Sequence, residues 1–172
     1  MRYNGILTAQ ITPSGGIVSG QSSVVQLDAW NWEDAAIKTD DGIHINWPSK
    51  LIGARWWMGE TRARKNERYE PIINEISDLL KEAEAFSKSP RTTTNLKLEA
   101  MEGLFDGSKG LFIHTNNATS IIESVTLAKA HGIERIVIVG GDEALLVANF
   151  LKEQNIPMVL ADVHALPGED HD

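Results

Sequence analysis

The stretch from Gly110 to Leu160 decides the fold. It reads Gly110-Leu-Phe-Ile-His114-Thr-Asn-Asn117, an amphipathic run, Arg135-Ile-Val-Ile-Val-Gly140-Gly-Asp-Glu143, a second amphipathic run, and Ile156-Pro-Met-Val-Leu160. Leu111 to Ile113, Arg135 to Val139 and Met158 to Leu160 are short apolar runs bounded by turn residues, as buried parallel strands require. Between them Ile121, Ile122, Val125 and Ala128 recur at helical spacing. Asn117 is placed to cap that helix and Gly132 to end it. Asp142 or Glu143 opens a second helix, with Val147, Phe150 and Leu151 on one face and Asn155 at its end. Strand–helix–strand–helix–strand predicts an α/β fold with a parallel sheet. Chemistry in such sheets gathers at the carboxyl ends of the strands. Those positions are His114, Gly140 with Gly141, and Asp162 to His164.

Working outward, Gly5 to Ile11, residues 23–28 and Gly42 to Asn46 read as further strands. Ser14 to Ser23 is rich in Gly and Ser. It reads either as a cradle for an anion or substrate or as a plain turn-rich connection; no Gly-Lys-Ser/Thr follows, so it is no P-loop. Residues 60–88 carry Ile72, Ile73, Ile76, Leu79, Leu80, Ala83 and Phe86 on one face of a long charged helix, with Pro71 at its start or at a kink. Thr94 or Asn95 caps a shorter helix through Leu96, Met101, Leu104 and Phe105. Trp30, Trp32, Trp47, Trp56 and Trp57 read as core or interface fillers, the alternative being stacking on a sugar or aromatic ligand.

With 172 residues the chain is long enough to bury a core. Its net charge of −8 and pI of about 5.1 argue against nucleic acid or an anionic membrane as main partner. The basic group Arg62, Arg64, Lys65 and Arg68 reads as a solvated face. With no cysteine there is no disulfide, thiolate metal site or cysteine nucleophile in this chain. Met1 leads into strand-like sequence without a basic or apolar leader, so no signal peptide is expected, and the chain reads as soluble. Three histidines, His44, His114 and His164, follow or end strand-like runs, where neutral imidazole suits zinc. None shows a dense ligand spacing such as His-x-His. His131 sits at a helix end and answers the dipole. Asp142 and Glu143 place negative charge after Gly140-Gly141, which disfavours an anion there and instead caps the helix.

The run Leu-Phe-Ile-His-Thr-Asn-Asn-Ala from Leu111, with Ile-Val-Ile-Val-Gly-Gly-Asp-Glu-Ala from Ile136 and Ile-Pro-Met-Val-Leu from Ile156, resembles the amidohydrolase superfamily in its imidazolonepropionase-like branch. Residues 7–27 resemble that branch after its second barrel strand. The resemblance implies a (β/α)8, TIM-like barrel of which this chain is an excerpt, from about the second to the seventh strand. It implies hydrolysis of C–N bonds in non-peptide or cyclic amides, using one or two metal ions, commonly zinc. His114 falls on the family's fifth-strand metal histidine, and His44 lies near the middle-barrel region where some members carry a bridging lysine. The sixth-strand histidine falls on Gly140 and is absent, and the first-strand His-x-His and late aspartate have no counterpart. Ser19, Gly20, Gln21 and His164 are the substrate-binding candidates and His114 the metal candidate; no catalytic residue is assigned. Two functions follow: a metal-dependent hydrolase in the parent protein with a small-molecule substrate, this excerpt being inactive alone, or a non-catalytic small-molecule-binding protein on a decayed barrel. An open partial barrel exposes sheet edges, so self-association is expected.

Overall fold

The computed structural model describes residues 5–54, 59, 61–90 and 94–160. Six strands form one sheet: β1 (Thr8–Ile11), β2 (Val18–Gln26), β3 (Ala36–Asn46), β6 (Gly110–Thr115), β7 (Ile136–Gly140) and β8 (Met158–Val159), in that spatial order. The last four pair in parallel, as their apolar runs predict, while β1–β2 and β2–β3 pair antiparallel. The result is an α/β fold whose sheet curls into an open half-barrel. A separate two-stranded ribbon joins β4 (Leu51–Ile52) to β5 (Arg64–Lys65).

The antiparallel start follows from short connections. The turn from Thr12 to Ile17 is too short for a crossover helix, and only an antiparallel hairpin closes so tightly. Residues 18–23, expected as loop, instead form most of β2: Val18 to Ser22 pair with β3, and Ser23 pairs with β1. Between β3 and β6 the chain makes a long excursion through α2 (Tyr69–Lys88) and α3 (Leu96–Met101), enough to return in parallel.

The helices follow their caps. The predicted helix over residues 60–88 begins only at Tyr69, and Pro71 is its third residue, inside the first turn where a missing N–H breaks no bond. The Asn95 side chain accepts from Lys97 and Leu98 N–H at the start of α3, and Asn117 does the same for Thr119 in α4 (Ala118–Ala130). Gly132, with φ of +74°, ends α4. The last predicted helix divides into a 3-10 turn over Ala144–Val147 and α5 (Ala148–Glu153). A single turn, α1 (Trp32–Ala35), precedes β3.

The core lies between the sheet and these helices. Ile43 and Ile45 of β3, Leu111 and Ile113 of β6, and Ile136 and Ile138 of β7 all face it and are almost fully buried against Ile76, Leu80, Ile121 and Val125. Each such side chain contributes about 1.5–3 kcal/mol relative to exposure. Trp47 joins this core, whereas Trp30 and Trp32 are exposed; Trp56 and Trp57 lie outside the described residues. Among the described residues no helix is long and apolar enough to cross a membrane.

Candidate functional site

Strand alternation turns Gly42, His44 and Asn46 of β3 away from the core, beside Gly110, Phe112 and His114 of β6. This second face is the concave one, and it is built around Phe112. Its ring lies across Gly42, where any Cβ would collide with it, and stacks on His44 at 4.6 Å with planes 5° apart. That stack buries His44 to 1% exposure. Its Nδ1 lies 2.8 Å from Nε2 of the half-buried His114, so a single hydrogen bond joins two imidazoles from adjacent parallel strands.

The proton in that bond is assignable. Among the described residues His44 Nε2 is buried without a hydrogen-bond partner. An unpaired buried N–H costs more than an unpaired ring lone pair, so the His44 proton sits on Nδ1 and is donated to His114 Nε2. His114 then carries its own proton on Nδ1. Burial, with His114 alongside, pushes the His44 imidazole down to about 4 against a smaller opposing pull from Asp41. Burial also lowers His114. Both rings are neutral at neutral pH.

His114 opens onto a cleft of about 530 Å³ at the carboxyl ends of β3, β6 and β7, with Asn46, Ser49, Asn116, Asn117 and Gly140 on its walls. Gly140 and Gly141 both have positive φ, of +101° and +78°. A Cβ on Gly140 would strike Asn116 Oδ1. The turn lets Gly141 N–H donate to both Thr115 O (2.9 Å) and Asn116 Oδ1 (3.0 Å), which fixes the Asn116 amide at the rim. On the other wall Trp47 Nε1 donates to the Tyr69 hydroxyl (3.3 Å), which donates to Glu123. Lys50 closes this network on Glu123 at 2.6 Å. Burial pulls the Glu123 carboxyl up, but the Lys50 and Tyr69 hydrogen bonds outweigh it and hold the group below its usual range.

The sequence candidates divide between two faces. Ser19 reaches the concave side, where its hydroxyl accepts from Asn46 Nδ2 at 3.0 Å. Gly20 pairs with His44 across β2–β3. Gln21 points the other way: it donates to Ala100 O (3.3 Å) and lines an apolar cavity of about 350 Å³ between the sheet and α2 and α3. His164 lies outside the described residues. His131 caps α4 as expected of a helix end, with its ring near Ser77 and Glu84. Glu143 does cap a helix, but that helix is α4 rather than its own: its Oε2 accepts from Ala118 N–H and Asn117 Nδ2, each at 2.9 Å. Asn46 and Asn116 were not singled out from sequence, although each flanks a strand-end residue that was.

The donor set tests a metal directly. The two nitrogens share a proton and lie 2.8 Å apart, closer than the roughly 3.3 Å that a tetrahedral zinc with bonds of about 2.0–2.1 Å sets between its ligand nitrogens. Among the described residues no three His, Cys, Asp or Glu side chains come together to hold a metal. The described residues therefore do not fit a metal as they stand, and no chemical step is derived through one.

Among solved structures the chain is similar to an amidohydrolase from Thermotoga maritima MSB8, with a TM-score of 0.79 and 21% identity. The fold is amidohydrolase-type. The match covers 96% of this chain and 44% of that one, so the chain spans less than half of its neighbour's length. No protein-family model matches the chain, and no curated protein matches it by sequence.

Proposed function

We propose that the chain is the central part of a longer hydrolase that cleaves C–N bonds of amides, and that the cleft beside His114 receives the substrate. The observation that carries this reading is the His44–His114 pair, held at the carboxyl ends of adjacent parallel strands in an amidohydrolase-type fold. Hydrolysis adds water to the amide carbon and moves a proton to the departing nitrogen. The neutral His114 imidazole keeps its free proton on Nδ1, from which it can donate a hydrogen bond to the amide carbonyl as water adds, and His44 orients the ring by donating to its Nε2. His44 acts here as a positioning residue.

The finer reading is that the parent protein closes this half-barrel into a TIM-like barrel of the imidazolonepropionase-like branch, acting on cyclic amides. In that parent protein His114 would serve as one zinc ligand, the others coming from outside the described residues, and Ser19, Gly20 and His164 line the mouth. The test pairs metal content after zinc loading with lactam and amide hydrolysis, for the longer protein as wild type and as His114→Ala. Stoichiometric zinc lost in the variant, with hydrolysis by the longer protein falling about a hundredfold or more, is the expected result. Hydrolysis unchanged by His114→Ala would overturn the role given to the cleft. The exposed apolar residues Ile6, Leu7 and Ile11 at the β1 edge further support self-association of the isolated chain. Light scattering that gives a clean monomer removes that part.

A further inference from the structure

Among the described residues the hydrogen-bonding side chains that line the cleft are all neutral, and the directions of two of its amides are fixed. Both hydrogens of the Asn46 amide are used, on Gly16 O (2.8 Å) and Ser19 Oγ (3.0 Å). A carbonyl only accepts, so Gly16 settles which way that amide faces. Asn46 therefore offers the cleft an acceptor, Oδ1. Asn116 is the converse. Its Oδ1 is taken by Gly141 N–H, which can only donate, so Asn116 offers two N–H donors through Nδ2. The Asn46 amide thus accepts and the Asn116 amide donates. A carboxamide or lactam group carries the complementary pair, an N–H and a C=O. A carboxylate has acceptors alone and would leave Asn46 Oδ1 facing another acceptor.

Charge points the same way. No Lys, Arg, Asp or Glu is among the described residues that line the cleft. Lys50, next in the chain to Ser49 but outside the lining, is paired with Glu123 at 2.6 Å. A helix N-terminus beside such a cleft commonly serves an anion, and that of α4 stands here at Asn117. It is already occupied from within the chain: Glu143 Oε2 accepts from Ala118 N–H and Asn117 Nδ2. An anionic ligand would meet that carboxylate instead of the free end of the helix.

We infer that the cleft selects uncharged amides over their carboxylate-bearing analogues, and that Glu143 enforces the choice from the N-terminus of α4. The inference rests on the reading of the cleft as a substrate site and names the class of substrate. Its test is a matched pair of probes, 2-pyrrolidinone and 5-oxoproline, which share a lactam ring and differ by one carboxylate. Each is titrated at neutral pH into the wild-type chain and into Glu143→Gln, following the side-chain amide signals of Asn46 and Asn116 by NMR. In the wild type 2-pyrrolidinone binds about tenfold or more tightly than 5-oxoproline. In Glu143→Gln the gap narrows, chiefly because 5-oxoproline gains affinity. Equal or tighter binding of 5-oxoproline by the wild type overturns the inference. So does an unchanged gap in the variant, or a failure of 2-pyrrolidinone to shift either amide. Binding is read without turnover, so absence of hydrolysis defeats the proposed function and leaves this preference standing. Hydrolysis that favours carboxylated lactams does the reverse.

Discussion

The two faces of β3 are built by opposite rules. On one, Ile43 and Ile45 disappear into a layer of aliphatic side chains backed by α2 and α4. On the other, His44 and Asn46 stand in a polar row where each hydrogen bond has a specific partner. The apolar face tolerates any filling of the right volume. The polar face depends on direction, since one imidazole nitrogen is paired and the other is left buried without a partner. Stability is therefore concentrated on one side of a single strand and specificity on the other.

Truncation separates the faces most sharply. Ile45→Ala should cost about 2–5 kcal/mol, because the packed helices cannot collapse into the gap. Val139→Ala, half-buried on the concave face, should cost about 1 kcal/mol or less. Urea unfolding of both variants measures the contrast, and equal losses would break it. Acid is the next largest probe. His44 in the unfolded chain gains a proton below its ordinary value of 6.5, whereas the folded chain resists until about 4. The unfolded state therefore binds more protons in that window. Stability is full above 6.5 and falls as pH drops toward 4, by about 3 kcal/mol in all. His44→Asn, which keeps a donor near the Nδ1 position and does not titrate, should flatten that part of the profile. If the slope survives the substitution, another group is responsible.

Smaller effects sharpen the comparison further. Gly42→Ala sets a methyl against the Phe112 ring, and the cost should be about 1–3 kcal/mol. Its signature is a change in the near-ultraviolet circular dichroism of the aromatic stack. Lys50→Ala removes a pair whose side chains are 42% and 40% exposed. The loss by urea unfolding should be below about 1 kcal/mol and should shrink further in salt.

What the sequence reveals tracks this division. The apolar runs of β3, β6 and β7 and the spacing of α2 and α4 are legible because burial imposes a period on neighbouring residues. The first part of β2 is not, since Val18-Ser-Gly-Gln-Ser-Ser has no apolar alternation and becomes a strand because β3 supplies main-chain partners from Val18 to Ser22 and β1 takes up Ser23. The place of Gln21 follows from that: once the segment is a strand, alternation sends this side chain to the helix side. His44 and His114 are each visible as strand-end histidines, but their contact depends on the register of β3 against β6, which no local pattern encodes. Glu143 is misread for the same reason. A cap is sought in the helix that follows it, and the helix it serves begins 25 residues earlier in the chain.

The two imidazoles meet across 70 residues of chain. No shorter piece contains both, and no hairpin or helix brings them near each other by itself. Closing so long a loop costs entropy before any contact can repay it, and parallel pairings are formed slowly for that reason. The histidine pair is thus assembled only when β3 and β6 have found their register. A nascent or damaged chain with native-like helices but a slipped central pairing would present two separate histidines and no site, so the cleft itself reports that folding is complete.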